Sequence, residues 1–127
     1  MEKVTGIGGV FFKSRDPKAL TTWYANRLGV PIDETYGGSQ FKWREHDDPA
    51  REGSTVWAPF PADTSYFAPS AAPFMVSFRV RDLRAMLAQL RADGVTVDDK
   101  VEEGPEGKFG WVMDPEGHRI ELWEPPP

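Results

Sequence analysis

The chain has 127 residues, 39% hydrophobic and 28% charged, and it contains no cysteine. This length suits a single domain with a hydrophobic core, and no apolar run approaches the roughly 20 residues of a membrane-spanning helix. The lack of cysteine excludes disulfides, thiolate catalysis and zinc–thiolate sites, and the net charge of −5 argues against nucleic acid as a partner. The first residues lead into strand-like sequence without an apolar signal region, so we expect a cytoplasmic protein.

The first half begins with a strand and a helix. Residues Gly6 to Lys13 predict a strand, and their glycines precede it, which excludes a dinucleotide-binding fingerprint. Asp16 predicts a helix cap, with Pro17 in the first turn, and Gly29 predicts the end of the helix. Between Val30 and Phe60 the sequence predicts three short strands separated by turns.

The second half repeats the first after a linker at residues 61–73, which has prolines and no usable period. The segment VSFRVRD, ending at Asp82, matches VFFKSRD, ending at Asp16, with an offset of 82 − 16 = 66. Asp82 predicts the cap of a second helix, and strands are predicted at Val95–Val97, Phe109–Met113 and His118–Trp123. The chain therefore predicts one α+β domain over residues 1–127, made of two β-α-β-β-β modules at about 5–60 and 74–124.

A hairpin closes the second module. Asp114-Pro115-Glu116-Gly117 predicts a tight turn, because proline presets the backbone angle and glycine accepts the left-handed conformation. Side chains alternate along the returning strand, which places Glu121 and Trp123 opposite Ile120 and Leu122. A single carboxylate is therefore predicted on the face away from the core.

With these motifs the chain resembles the vicinal oxygen chelate superfamily, which includes glyoxalase I, bleomycin-resistance proteins and extradiol dioxygenases. The matching segments are VFFKSRDPKALTTWYANRLGV, VSFRVRDLRAMLAQLRADGV and DPEGHRIELWEP. The resemblance implies a mixed sheet that curls into a cup, with the helices on its outer face. It also implies a metal at the bottom of the cup, held by His or Gln seven residues before each helix-capping Asp and by a Glu in each module's last strand.

Most of these implied metal positions lack a suitable ligand. Counting back from the helix caps gives 16 − 7 = 9 and 82 − 7 = 75, which are Gly9 and Met75. The last-strand positions are Glu121 and, by the same count from Gly53, Trp57. A catalytic metal generally needs three protein ligands, so we expect no cofactor and no strong metal site. A weak divalent ion on Glu121 is the exception, since Mg²⁺ binds through few carboxylates and several waters.

Alternation along the strands predicts the lining of the cup. The residues predicted to face the helices are Val10, Phe12, Val76, Phe78, Val80, Ile120 and Leu122. The residues predicted to face the cup are Phe11, Lys13, Met75, Ser77, Arg79, Glu121 and Trp123, joined by Trp43, Trp57 and Trp111. Aromatic rings with a few charges are typical of a pocket for a flat or amphipathic small molecule.

Two details of this cup stay open in the sequence. Glu121 is interpreted as a general base, as a hydrogen-bond acceptor for a ligand, or as the ion-pair partner of Arg79 or Lys13. In the linker, Tyr66 and Phe67 either cover a bound ligand or pin the linker in place.

The sequence favours a metal-independent small-molecule-binding protein, in which aromatic residues hold the ligand and Glu121, with Arg79 or Lys13, orients it. The resemblance implies a homodimer, because relatives of this size commonly build each cup from strands of two chains. The alternative is a lyase, an isomerase or a dioxygenase-like enzyme that uses Glu121 as a base or as the holder of a weak metal, with Arg79 or Lys13 as the electrophile. A third interpretation is an interaction module whose aromatic residues form the dimer interface.

Overall fold

The computed structural model describes residues 1–127 and contains seven strands and two helices. The strands are β1 (Gly6–Ser14), β2 (Ser39–Arg44), β3 (Glu52–Pro61), β4 (Phe74–Arg79), β5 (Glu102–Gly104), β6 (Gly107–Met113) and β7 (Arg119–Glu124). The helices are α1 (Pro17–Leu28) and α2 (Leu83–Ala92). All strands form one mixed sheet in the order β2-β3-β1-β4-β7-β6-β5, which confirms the α+β fold class.

Both helices begin where the sequence predicts, because an aspartate caps each of them. The Asp16 carboxylate accepts a hydrogen bond from the backbone N–H of Ala19 at 3.1 Å, and Asp82 accepts one from Ala85 at 3.0 Å. These bonds satisfy N–H groups that have no partner within the helix. Helix α1 ends at Gly29, whose φ of 70° is in the left-handed region that glycine adopts without strain.

The prediction of three strands between Val30 and Phe60 is wrong, because only β2 and β3 form there. Residues before β2 make a turn, joined to the sheet by the isolated bridge between Asp33 and Gly38. The Asp33 carboxylate accepts hydrogen bonds from both the backbone N–H and the hydroxyl of Thr35. This local bonding competes with strand pairing and keeps the segment folded on itself.

The predicted strand at Val95–Val97 is also wrong, since it forms a single bridge between Val97 and Val112. At one end, the N–H of Val95 is already bonded to the carbonyl of Leu90 in α2. At the other end, the Asp98 carboxylate accepts a hydrogen bond from the backbone N–H of Lys100 at 2.9 Å, which turns the chain away from β6. The short strand β5 forms further along, at Glu102–Gly104, and pairs with β6.

The two modules meet inside one chain. Strands β1 and β4 pair antiparallel, with Val10 opposite Val76 and Phe11 opposite Met75. A single chain therefore supplies a continuous sheet, whereas the sequence analysis expected each cup to combine strands of two chains. The linker, residues 62–73, makes this pairing possible because it connects the end of β3 to the start of β4.

The sheet carries a separate hydrophobic cluster on each face. The outer cluster lies between α2 and the sheet and contains Val80, Leu83, Met86, Leu87, Val112 and Leu122. The inner cluster contains Phe11, Ala58, Phe67, Met75 and Trp111. Along β7 and β4, the structure thus confirms the predicted alternation between the helix face and the cup face.

The sheet curls around the inner cluster. The Tyr66 ring lies 5.4 Å from Phe60 of β3 and 6.2 Å from Trp111 of β6, measured between ring centroids. These strands are the second and sixth of the seven across the sheet, so one side chain reaches both only if the sheet is concave. No helix of the chain has both the length and the apolar composition to cross a membrane.

Candidate functional site

Glu121 lies in the middle of a row of residues across the concave face. The strand register places it beside Ser77 of β4 on one side and Trp111 of β6 on the other. The row continues through Gly9 of β1 and Val56 of β3. Glu121 is only 3% exposed, so its carboxyl group lies at the bottom of the cup.

The partner of Glu121 is a tyrosine of the linker and not a cation. The Tyr66 hydroxyl donates a hydrogen bond to Oε2 of Glu121. None of the ion pairs in the chain includes Glu121, so the predicted pairing with Arg79 or Lys13 is wrong. Burial raises the pKa of Glu121 above its ordinary value, and the hydrogen bond from Tyr66 opposes this only in part.

The pKa of Tyr66 is also raised, because burial and the nearby Glu121 carboxylate both disfavour the phenolate. Tyr66 therefore keeps its proton and acts as a donor toward Glu121. The outcome is a buried carboxyl group with one oxygen engaged and with no positive charge bonded to it.

The linker fills one half of the cup. Phe67 is fully buried, its ring lies 5.4 Å from Phe60, and the Lys13 ammonium lies 6.0 Å from the centre of the Phe67 ring. Tyr66 stacks on Phe60 with an interplanar angle of 8°. Of the two interpretations of these linker aromatics, the structure shows the pinned linker.

An open pocket of about 440 Å³ occupies the other half of the cup. Its walls include Phe11, Gln40, Val56, Phe109, Glu121 and Trp123. The Phe109 and Trp123 rings are nearly parallel, at 3° and 6.1 Å between centroids. The indole N–H of Trp123 donates to the Glu106 carbonyl at 2.8 Å, which holds the ring in place. The pocket is therefore largely aromatic and reaches a buried carboxyl group.

Arg79 lies behind the pocket wall. Its guanidinium carbon is 5.0 Å from the centre of the Trp123 ring and 5.4 Å from that of Trp43, an arrangement typical of cation–π contacts. Nη1 donates to the carbonyl of Ser54 at 3.3 Å, and Nε has no partner. Burial lowers the pKa of Arg79, and the charge of Glu45 partly offsets this.

Two of the predicted tryptophans belong neither to the open pocket nor to the inner cluster. Trp57 packs on the helix face, 4.6 Å from Tyr24 of α1 and 5.4 Å from Phe12 between ring centroids, so its predicted place in the cup is wrong. Trp43 lies at the end of β2, where its indole N–H donates to Thr55 at 2.8 Å. Its ring covers Arg79 instead of facing the open pocket.

The other predicted residues divide between the two halves of the cup. Phe11, Glu121 and Trp123 border the open pocket. Met75 and Trp111 belong to the inner cluster around Phe67, Lys13 lies over that ring, and Ser77 is buried beside Glu121.

The sequence analysis missed Gln40, Val56, Phe109 and the Tyr66 partner of Glu121. Alternation back from Trp111 would have found Phe109, which is two residues earlier on the same strand. No sequence signal pairs Tyr66 with Glu121, because the two are 55 residues apart.

A larger pocket, of about 590 Å³, lies on the outer face between α1 and the turn before β2. Its walls include Lys18, Thr22, Asn26 and Glu34, which are exposed polar residues. The pocket inside the cup reaches a buried ionisable group, and we therefore regard the cup as the candidate site.

Comparison with known proteins identifies the family. The model of the Glyoxalase/Bleomycin resistance protein/Dioxygenase superfamily matches residues 6–122. The chain belongs to this superfamily. Among curated proteins, no significant match is found.

Several solved structures share the fold of this chain at low sequence identity. Methylmalonyl-CoA epimerase from Mycobacterium tuberculosis is 23% identical, with a TM-score of 0.60 and coverage of 98% of this chain and 90% of that one. A variant of the Streptomyces coelicolor epimerase in complex with 2-nitronate-propionyl-CoA is 19% identical, with a TM-score of 0.70 and coverage of 98% and 100%. A superfamily member from Vibrio splendidus is 10% identical, with a TM-score of 0.55 and coverage of 98% and 99%. At these identities the likeness shows the fold alone.

The strand register corrects one of the four metal positions expected for the superfamily. Ser77 of β4 pairs with Glu121 of β7. The modules are offset by 66 residues, so the first-module counterpart of Ser77 is Phe11 (77 − 66 = 11). Phe11 pairs with Ala58 of β3. The first-module counterpart of Glu121 is therefore Ala58, one residue after the predicted Trp57.

The residues at these positions do not fit the superfamily metal. They are Gly9, Ala58, Met75 and Glu121, which together provide one carboxylate and one thioether. Ala58 and Met75 pack in one hydrophobic cluster with the Phe67 ring, so their surroundings are apolar. No three His, Cys, Asp or Glu side chains in the chain are grouped to hold a metal ion. A transition-metal site needs a more complete donor set in fixed geometry.

Proposed function

We propose that this glyoxalase-superfamily protein is a cytoplasmic, metal-independent binding protein for a small aromatic or amphipathic organic molecule. The observation that carries the proposal is the pocket of about 440 Å³, which runs between aromatic walls to the buried Glu121. Pockets for small organic molecules have typical volumes of about 300–1,000 Å³ and combine apolar walls with a few polar groups. This pocket has both properties.

The walls suggest how the molecule is held. The parallel Phe109 and Trp123 rings provide flat apolar surface, and Phe11 adds a third aromatic side chain. Apolar contact contributes about 25 cal/mol per Å² removed from water. Arg79 and Lys13, which the sequence analysis expected to orient the molecule with Glu121, do not border the pocket. Glu121 therefore orients the molecule without them.

The proposal includes no resident cofactor, because the superfamily's metal positions carry one carboxylate, and two of them, Ala58 and Met75, pack in a hydrophobic cluster with Phe67. Isothermal titration of chelator-treated protein with Mg²⁺, Mn²⁺, Ni²⁺ and Zn²⁺ tests this point. We expect no saturable binding. Stoichiometric binding that Glu121→Gln abolishes would overturn the metal-independent proposal.

We also propose that the protein forms a homodimer through its outer face. Helix α1 packs on β1 and β3 and α2 packs on β6 and β7, which leaves the junction of β1 and β4 uncovered. Ile7, Val10 and Phe74 on these two strands are 40%, 38% and 39% exposed. Analytical ultracentrifugation should show a dimer that Val10→Asp converts to a monomer. A monomeric wild type would refute the dimer without affecting the pocket.

A blocked pocket provides the direct test of binding. Val56→Phe adds a ring to the pocket wall, and Val4→Phe adds the same bulk at a position that is 46% exposed. A panel of one- and two-ring aromatic compounds is screened by thermal shift and tryptophan fluorescence. A compound at one hundred times its Kd stabilises the fold by about 2.7 kcal/mol. We expect binders for wild type and Val4→Phe, with the shift lost in Val56→Phe. Equal shifts in all three proteins would place binding elsewhere.

An enzymatic function is the second candidate, and a specific observation favours it. Glu121 is a buried carboxyl group with a raised pKa that borders a pocket, which is the arrangement of many general bases. In this case the protein would be a lyase or isomerase that abstracts a proton beside a carbonyl group. Glu121→Gln removes the base at nearly constant shape. Unchanged turnover in this variant, measured on any substrate found for the wild type, would exclude the candidate.

A further inference from the structure

Acceptor oxygens predominate among the polar side chains that border the open pocket, because Gln40, Glu106 and Glu121 supply them, while the Tyr36 hydroxyl both donates and accepts. Glu121 accepts a hydrogen bond from Tyr66 at Oε2 and keeps further acceptor capacity, because a carboxylate has about four lone-pair sites. Gln40 uses its amide N–H on the Ser54 hydroxyl at 3.0 Å, which leaves its carbonyl oxygen unpaired. The Glu106 side chain adds a second carboxylate to the lining. A ligand that satisfies these groups must bring donors.

The charges point the same way. The pocket lining contains two carboxyl groups, Glu106 and Glu121, and neither lysine nor arginine. Arg79, the nearest cation to the aromatic wall, is behind the Trp123 ring and does not border the pocket. The Lys13 ammonium lies over Phe67 in the half of the cup that the linker fills. The open half therefore favours positive charge over negative charge.

The aromatic walls suit the same kind of molecule. Trp123 and Phe109 present nearly parallel rings, and an aromatic face attracts a cation through its quadrupole. A planar cation can thus rest against a ring while its N–H groups reach a carboxylate.

We propose that the pocket selects a planar aromatic cation with N–H donors, such as an aromatic amidine, which pairs with the Glu121 carboxylate beside the Trp123 and Phe109 rings. This inference rests on the proposed binding function and names the class of ligand. Glu121 is suited to such a partner, because a positive charge within about 4–6 Å favours the ionised carboxylate that burial alone disfavours.

Three probes of the same shape test the inference. Benzamidine is a planar cation, benzamide is its neutral counterpart and benzoate is its anionic counterpart. Their affinities are measured by isothermal titration on the full chain. We expect benzamidine to bind about ten- to a hundredfold more tightly than benzamide, the range expected for a charge-assisted pair. Benzoate should bind more weakly than either.

Substitutions then locate the preference. Glu121→Gln should remove the advantage of benzamidine and leave the affinity for benzamide within about twofold, since only the charge is lost. Glu116→Gln makes the same charge change at an exposed residue of the hairpin turn and should leave all affinities unchanged. Glu106→Gln is a second variant at the exposed edge of the pocket, where solvent screens the charge, and should weaken benzamidine about twofold.

Each outcome has a distinct meaning. If benzamide or benzoate binds as tightly as benzamidine, the inference is overturned while the proposed binding function stands. If wild type, Glu121→Gln and Glu106→Gln all prefer benzamidine to benzamide by the same factor, the cation binds elsewhere and the inference also fails. If none of the three probes binds, the inference fails, and the compound panel with Val56→Phe decides the proposed binding function separately.

Discussion

Phe67→Ala tests whether the linker is an integral part of the cup. The Phe67 side chain is fully buried and packs in one cluster with Phe11, Met75 and Trp111. Truncation of a buried phenylalanine to alanine typically destabilises a protein by about 3–5 kcal/mol. Phe11 belongs to both the inner cluster and the open pocket, so water can enter the vacated space. We therefore expect Phe67→Ala to lower the free energy of unfolding by about 3 kcal/mol, near the lower end of that range. This is a large part of a typical folding stability of about 5–15 kcal/mol.

Urea denaturation followed by circular dichroism measures this loss. For a chain of this size, each kcal/mol corresponds to about 3–5 °C in Tm, so thermal unfolding should shift by about 10–15 °C. Phe41→Ala is the matched control, because Phe41 is 44% exposed on β2 and should lose less than about 1 kcal/mol. A similar small loss in both variants would mean that the linker is not docked and that the whole cup is open, which would refute our reasoning.

Three further predictions concern the same fold. Because the pKa of Glu121 is raised above its ordinary value of 4.5, the folded protein holds this proton more tightly than the unfolded chain does. The stability that this tighter proton binding contributes is present below pH 4.5 and is lost as the pH rises through the folded pKa of Glu121. Glu121→Gln should therefore gain stability relative to wild type as the pH rises. A constant difference between the urea midpoints of the two proteins from pH 4 to 8 would contradict this. Tyr66→Phe should lower the free energy of unfolding in urea by about 1–3 kcal/mol, because the buried Glu121 carboxyl group loses its hydrogen-bond donor. Tyr36→Phe is the control, since Tyr36 is half-exposed and its substitution should be near neutral. Leu87→Ala should cost about 2–5 kcal/mol, since Leu87 is 2% exposed in the outer cluster, and a loss below about 1 kcal/mol would place α2 off the sheet.

Much of the fold is readable from local signals. The capping aspartates, Asp16 and Asp82, define the helix starts because their carboxylates satisfy N–H groups only a few residues away. The Asp114–Gly117 turn forms for a similar reason, with Asp114 accepting the N–H groups of Glu116 and His118. These bonds, with the His118 N–H contributing most, and the contact with the His118 imidazole lower the pKa of Asp114, which strengthens the turn above acidic pH. Local chemistry of this kind is nearly independent of the rest of the chain.

The strand faces are readable where alternation is unbroken. Glu121 and Trp123 face the cup and Leu122 faces α2, as the period of two requires. The position of Trp57 was wrong because it was counted from Gly53, which lies inside β3 and not in a turn like Gly117, and a shift of one residue exchanges the two faces. The pairing of Phe11 with Ala58 decides this register, and it exists only in the assembled sheet.

The sequence by itself determined the two-module repeat, the starts of the helices and the orientation of Glu121 toward the cup, because each depends on residues close together in the chain. Only the tertiary structure decided what the carboxylate meets and how much of the cup is open. The Tyr66 hydroxyl reaches Glu121 across 55 residues of sequence, and Phe67 packs in one cluster with Ala58 and Met75. These contacts depend on how the linker packs into a curled sheet, and packing across such separations leaves no periodic trace in the sequence.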